Sequence, residues 1–320
     1  MGVPIRFHDL KPDGLSLHEA VVHGFSLEQK RLPPKFFYDA RGSALFDEIC
    51  RQPEYYLPDV ERAMLRDLAD EIARHTGTRR VVIEPGAGSA AKVRLLLETL
   101  APAAYVPMDI SCRYLKQSAQ ALADDYPGLA VHAVCVDYTH SLPLPEMIPD
   151  GRRLGFFPGS SLGNFEPEEA QAFLSMFCRM LGREGMLLIG VDTKKSPAIL
   201  DAAYNDAAGV TAAFNLNLLH RIRRELSAEV DPDAFAHEAG YNADAGRIEM
   251  HLVSCHAQQV RVDGHNFRFE AGERLHTESS YKYTPQEFLS LAGASGFRPC
   301  CHWLDPRGLF AIYLLEVSGM

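Results

Sequence analysis

Three features of the sequence predict an α/β fold with a doubly wound sheet, closed by an antiparallel hairpin and joined to a smaller α+β domain. Short β-rich runs alternate with helical ones from about residue 79 to residue 191. The alternation stops between residues 193 and 282, where a helical segment and alternating strands intervene. It resumes after Thr284-Pro285 and ends on two apolar strands with a short connection, so the last strand runs against the others.

The elements follow in order. Residues 15–75 read as mostly helical, with apolar positions at helical spacing in Leu57–Ile72. Two proline- and aromatic-rich stretches interrupt them, Leu32–Tyr38 and Pro53–Pro58. Then come a strand at Val81–Ile83, a helix from Ala91, a strand at Ala104–Pro107, a helix from Ser111 and a strand at Ala130–Val134. A strand at Leu154–Phe157, a helix from Glu166 and a strand at Met186–Val191 complete the parallel set. The intervening segment gives a helical run, Pro197–Leu226, and two strands, Arg247–Cys255 and Gly272–Tyr281. Strands near Cys300–Leu304 and Leu309–Val317 close the chain. The expected division is 60–192 with 283–320 as the sheet domain, and 1–59 with 193–282 as the second domain.

Composition narrows the function classes. The 320 residues are 47% apolar and 23% charged, ordinary values for a chain that buries a core. A net charge of −10 argues against nucleic-acid binding, which needs a basic footprint. The seven cysteines form no C-x-x-C pair, and reduced thiols are expected. The start Met1–Arg6 has Arg6 where an acylation signal needs Ser or Thr, and no apolar run is long enough to span a bilayer. A cytoplasmic protein without a membrane partner is the expectation; nothing specifies its oligomeric state.

The first strand of the alternating set leads into Glu84-Pro85-Gly86-Ala87-Gly88-Ser89-Ala90-Ala91-Lys92. Glycines there let the backbone approach a ligand, and a following helix would offer free N–H groups. Asp109 ends the next strand about 20 residues on, where a carboxylate can accept both ribose hydroxyls. Asp137-Tyr138 ends the third, placed to bind and cover an adenine. Alone, the glycine pattern fits a dinucleotide equally well. Three ligand-type strand ends at one sheet edge favour an adenosyl ligand, and the closing hairpin tips a Rossmann-like sheet towards methyl transfer over a nicotinamide oxidoreductase.

Two further segments carry polar groups suited to a small acceptor. The fourth strand runs into Phe157–Phe165, where Asn164 offers donors and an acceptor to an amino acid, or else caps the helix from Glu166. In Leu275–Ser280, strand alternation puts His276, Glu278 and Ser280 on one face. Glu278 and Ser280 can serve the two nitrogens of an imidazole, or can be a solvated strand face. Met250 shares a face with Ile248 and Leu252 as core unless a ligand reaches it, and Glu249, His251 and Cys255 opposite make a poor metal site, so no metal is expected.

The stretch Pro34–Asp47, with Pro53-Glu54-Tyr55-Tyr56, resembles the N-terminal signature of the histidine Nα-methyltransferases of ergothioneine biosynthesis. The resemblance continues through the glycine loop, Pro158–Phe165, Tyr204-Asn205, Glu249-Met250 and Thr277–Ser280. It implies S-adenosylmethionine as methyl donor and L-histidine as acceptor, trimethylated on its α-amino group to hercynine. It further implies cofactor contacts at Gly86, Gly88, Lys92, Asp109, Asp137 and Tyr138, the last standing where relatives are expected to have phenylalanine. Tyr55, Asn164, Tyr204, Glu278 and Ser280 would contact histidine, Met250 would pack on its ring, and Tyr38 and Phe46 would line the transfer path. Tyr38 is the candidate for positioning the amine or relaying its proton. A methyltransferase for another small amino acid or amine is the nearest alternative.

Overall fold

The computed structural model describes residues 5–10 and 15–319, so the start Met1–Pro4, read above for acylation, lies outside the described residues. The chain divides into two units: Met1–Gly14 with Leu57–Lys194 and Tyr283–Met320, and Leu15–Tyr56 with Lys195–Lys282.

The first unit carries strands β1 (Arg6–Asp9), β2 (Val81–Pro85), β3 (Ala104–Asp109), β4 (Ala130–Cys135), β5 (Arg153–Phe157) and β6 (Met186–Asp192). The second carries β7 (Phe235–Asn242), β8 (Arg247–Ser254), β9 (Gln258–Val262), β10 (His265–Phe269) and β11 (Arg274–Tyr281). The chain then returns to the first unit with β12 (Phe297–Leu304) and β13 (Phe310–Val317).

In the first unit the strands form one 8-stranded sheet, β1-β4-β3-β2-β5-β6-β13-β12. β1 to β6 pair in parallel, and β13 inserts antiparallel between β6 and β12. This is the doubly wound α/β sheet with a closing hairpin that the alternation predicts. β2 and β6 are buried along their whole length, as a sheet covered on both faces requires. The order reverses between β2 and β5, so the loops after those two strands flank the switch point where such sheets bind ligands.

The helix Leu57–Thr76 belongs to this unit, and its buried stripe is Leu57, Val60, Glu61, Met64, Leu65, Ala69 and Ile72. A carboxylate in that apolar stripe is an anomaly that the site explains. The helix Pro167–Leu181 starts with the Glu166 amide donating to Glu169 at 3.1 Å. Thr284 accepts from the Glu287 amide at 3.2 Å to begin Pro285–Ala294.

The second unit has its own core, in which Leu17, Val21, Phe25 and Phe37 join Leu218, Ile222, Ile248 and Leu252. An antiparallel sheet, β11-β8-β7, and the hairpin β9–β10 surround it. The hairpin turns on Asp263-Gly264, both at positive φ.

The structure corrects several expectations. Residues 6–9 join the large sheet beside β4, although 1–59 were expected in the second domain. No long helix follows the glycine loop: a 3-10 turn, Val93–Leu95, precedes the short helix Leu97–Leu100. The second unit has β7, β9 and β10 besides the two strands expected. The run Pro197–Leu226 breaks into Pro197–Ala203 and Val210–Glu225, because Asp206 caps the second helix through the Val210 and Thr211 amides at 2.7 and 2.8 Å. The cysteines are not all reduced thiols. Cys112 and Cys135 are disulfide-bonded between the start of a helix and the end of β4, with Cα atoms 5.1 Å apart.

Candidate active site: a donor loop and an acceptor cluster

The residues expected to contact the donor lie in the sheet unit. After β2 the chain turns through Gly86 and Gly88, at φ +69° and +51°. The Met108 carbonyl takes the amides of Gly86 and Ala87 at 2.8 and 3.1 Å, which folds the loop over the end of β3. Gly86 is required sterically as well, because a Cβ there would sit 2.9 Å from Tyr138 Oη. Asp109 anchors the loop from below. Its carboxylate accepts from the Gly88 amide at 3.1 Å and the Ser111 amide at 2.8 Å. Burial raises its pKa, and those amide hydrogen bonds work against the rise.

Asp137 is 4% exposed and accepts from Thr139, through the amide at 3.1 Å and the hydroxyl at 2.5 Å. The Tyr138 ring stands edge-on to Phe157 and Phe173, with centroids 6.3 and 6.2 Å away. Burial, then the charges of Asp109 and Asp137, holds its hydroxyl protonated. Gly86, Gly88, Asp109 and Tyr138 therefore meet at one edge of the sheet, with Asp137 beside them.

Lys92, expected as a cofactor contact, is ion-paired. Its ammonium lies 2.6 Å from the Glu61 carboxylate, which is 1% exposed and accepts the Gly159 amide through both oxygens at 2.9 Å. Gly190 leaves the room, since a Cβ there would overlap the Glu61 carboxylate. The two loops at the switch point are thus tied together by an ion pair. The sequence reading missed Glu61; its signal was a glutamate inside the apolar stripe of Leu57–Thr76. Glu84 was also missed. Burial pushes its carboxyl up to about 8, against the hydrogen bond from Tyr105 Oη at 2.5 Å.

Asn164 ends a short 3-10 turn, Ser161–Asn164, after β5. The cap of the next helix is Glu166, so Asn164 is not its capping residue.

The other residues expected to contact the acceptor, Asn164 apart, lie in the second unit. Tyr38, Phe46, Tyr55 and Tyr204 form a chain of ring contacts, with centroids 5.8, 6.4 and 6.1 Å apart in turn. Phe214, which the sequence reading missed because it sits at a core-like helical position, touches Tyr38 and Phe46 at 5.8 and 6.1 Å. Burial, followed by the charges of Tyr204, Cys50 and Glu278, raises the Tyr55 hydroxyl well above its ordinary pKa.

β11 supplies the polar groups. A bulge between His276 and Glu278 places His276 opposite His251, and Glu278 opposite Met250. The expectation that His276, Glu278 and Ser280 share a face is therefore wrong for His276. The extra residue turns its ring to the other face, 5.2 Å from that of His251. Glu278 and Ser280 remain on the face of Met250 and Ile248. Ser280 Oγ accepts from Tyr204 Oη at 2.9 Å, and the buried Lys282 ammonium donates to Ser280 Oγ at 2.9 Å and Tyr204 Oη at 3.1 Å. Burial pushes the Glu278 carboxyl up to about 7, and Lys282 opposes that. Lys282, which the sequence does not mark as a site residue, lies two residues beyond Ser280.

A family model described as "Histidine-specific methyltransferase, SAM-dependent" matches residues 17–317. The chain belongs to this family. It is therefore a histidine-specific, S-adenosylmethionine-dependent methyltransferase, and the nicotinamide alternative falls away. It is 41% identical to a histidine N-alpha-methyltransferase of Mycolicibacterium smegmatis, over 93% of this chain and 94% of that one. A protein of that name from Mycobacterium tuberculosis is 39% identical, over 94% of each chain. The Neurospora crassa ergothioneine biosynthesis protein 1 is 31% identical over 91% of this chain, which spans 34% of that longer protein. Among solved structures, the CcbJ methyltransferase from Streptomyces caelestis is similar at a TM-score of 0.49 and 14% identity, over 82% of this chain and 96% of that one.

Proposed function

We propose that the protein transfers three methyl groups to the α-amino nitrogen of L-histidine, giving hercynine for ergothioneine biosynthesis, and that it does so in the cytoplasm. One observation carries the choice of acceptor: Glu278 and Ser280 share the Met250 face, with Ser280 tied to the Tyr204 hydroxyl. A carboxylate and a hydroxyl there suit the two nitrogens of an imidazole, over a thioether that can pack on its ring. Relatives named for this reaction match over nearly the whole chain.

S-adenosylmethionine supplies a methyl carbon made electrophilic by the sulfonium it leaves. In our reading Asp109 accepts the ribose hydroxyls, Asp137 and Tyr138 hold the adenine, and Gly86 and Gly88 let the backbone approach. Lys92 holds the loop through Glu61. The room that Gly86 leaves beside Tyr138 and the buried carboxylate of Asp109 fit such a ligand.

Asn164 and Tyr204 would orient the amino-acid end of histidine, while Glu278 and Ser280 hold its ring. In each round the amine lone pair forms the nitrogen–carbon bond and the sulfur–carbon bond breaks. The nitrogen must lose a proton before it can attack again. Tyr38, next to Phe46 in the aromatic chain, would position the amine and pass that proton towards solvent. The trimethylated product is a fixed cation, and the faces of Tyr38, Phe46 and Tyr55 would attract it by about 0.5–2 kcal/mol.

The test is mass spectrometry of purified protein incubated with donor and histidine. Successive mono-, di- and trimethylated histidine, with the fragment pattern of α-amino substitution, are expected. Methyl groups on the imidazole, or preferred methylation of another amino acid, would refute the assignment.

A further inference from the structure

The helix Leu57–Thr76 and the strand β12 bring together chemistry that methyl transfer does not use. His75, in the last helical turn, and Cys300 and Cys301, on the strand, each offer a ligand atom within 4.8 Å of the other two. Successive residues of a regular strand face opposite ways, so adjacent cysteines should not both reach one ion. A bulge removes that obstacle. Pro299 lies opposite Leu315 and Cys301 opposite Leu314, leaving Cys300 as the extra residue, and such an insertion re-aims side chains.

The surroundings are those of a supported metal site. Glu71 stands one turn before His75 and accepts from Trp303 Nε1 at 3.0 Å. The Trp303 ring meets that of His75 with centroids 6.4 Å apart. Two thiols and an imidazole form a donor set suited to zinc. Zinc–sulfur bonds of about 2.3 Å at tetrahedral angles put the sulfurs about 3.8 Å apart, so the cluster needs to contract by no more than about 1 Å. His75 and Cys300 are exposed and Cys301 half-buried, which gives their side chains that freedom and admits water.

We propose that His75, Cys300 and Cys301 form a zinc site that clasps the end of this helix to the edge strand of the closing hairpin. Water is the fourth ligand, and Trp303 holds Glu71 beside it as the outer carboxylate. The site is separate from the donor loop: Glu61 and His75 are about 21 Å apart along the helix at 1.5 Å per residue.

The test uses the full chain, its thiols kept reduced by a phosphine, with Zn²⁺ titrated in competition with a chromogenic chelator. Trp303 is the only tryptophan and reports directly by fluorescence. Expected are one tightly held Zn²⁺ per chain, a saturable change in emission, and sulfur-to-metal charge-transfer absorption with tetrahedral ligand-field bands when Co²⁺ replaces zinc. His75→Ala and the Cys300→Ser/Cys301→Ser double variant should each weaken Zn²⁺ by more than about 100-fold, beyond the loss of an outer partner. The double variant should transfer methyl groups at the parent rate. Absence of stoichiometric binding, survival of binding in the double variant, or its loss in Cys112→Ser/Cys135→Ser would each overturn the proposal.

Discussion

Replacing Glu278 by Gln separates the cost of burying this carboxylate from its service to the substrate. In the unfolded chain the group titrates at its ordinary 4.5, and in the folded protein burial pushes it up to about 7. Between those values the folded protein keeps a proton that the unfolded chain has lost. The stability contributed by this group is therefore fully present below pH 4.5, falls as pH rises towards 7, and is lost above it. At about 1.4 kcal/mol per pH unit, the interval amounts to about 3 kcal/mol. Glutamine has no such titration. The difference in unfolding free energy between Glu278→Gln and the parent should shift by about 3 kcal/mol in the variant's favour between pH of about 4.5 and 8. Comparing two pH values cancels any fixed cost of the amide. Urea denaturation of both proteins across that range measures it. The same variant should lose histidine affinity by about 10–100-fold at neutral pH, because a charge-assisted hydrogen bond to the imidazole becomes a neutral one. Parallel stability profiles would refute the buried carboxylate, and unchanged calorimetric histidine affinity would refute its part in binding.

Four further outcomes are expected. Gly86→Ala should bind S-adenosylhomocysteine at least about tenfold more weakly, since the added methyl meets Tyr138 Oη at 2.9 Å in a left-handed backbone that costs about 1–2 kcal/mol; unchanged affinity by calorimetry contradicts the loop assignment. Asn164→Ala should weaken histidine strongly and leave S-adenosylhomocysteine binding nearly intact, and equal losses of both would speak against a substrate role. Tyr204→Phe removes an oxygen from a buried Lys282 and should cost about 1–3 kcal/mol in urea unfolding together with histidine affinity; a neutral result in both would show the network to be idle. Alkylation in denaturant should label five cysteines of the air-equilibrated protein and seven after reduction, with Cys112 and Cys135 as the pair revealed by peptide mapping. Labelling of all seven at the outset would exclude that bond.

The sheet was legible because its central strands, such as β2 and β6, are buried on both faces and read as continuous apolar runs between helices. Asp109 and Asp137-Tyr138 could be placed for the same reason, since strand ends follow from the alternation. What the sequence hid was irregular. β1 is four residues long and half-exposed to exposed, so it carries no burial pattern to read. The bulge at Thr277 reverses the face of His276, and no local composition announces a one-residue insertion. Glu61 and Lys282 were passed over because charged side chains are ordinarily taken as solvated, whereas both are 1% exposed here. Glu61 meets Lys92 and Gly159, and Lys282 meets Tyr204, partners that are distant in sequence. Pairings of that kind depend on topology rather than on spacing.

The chain changes unit at 14/15, 56/57, 194/195 and 282/283, so neither unit is a contiguous stretch of polypeptide. On the ribosome, the second unit stays unfinished until Lys282 has emerged, and the sheet waits longer for the strand that lies between β6 and β12. Neither can fold first as an independent block in the manner of tandem domains. The same threading governs attempts to alter what is methylated. Transplanting the second unit from a relative would take two pieces, Leu15–Tyr56 and Lys195–Lys282, because either alone brings only part of one core, and Asn164 would stay with the other unit.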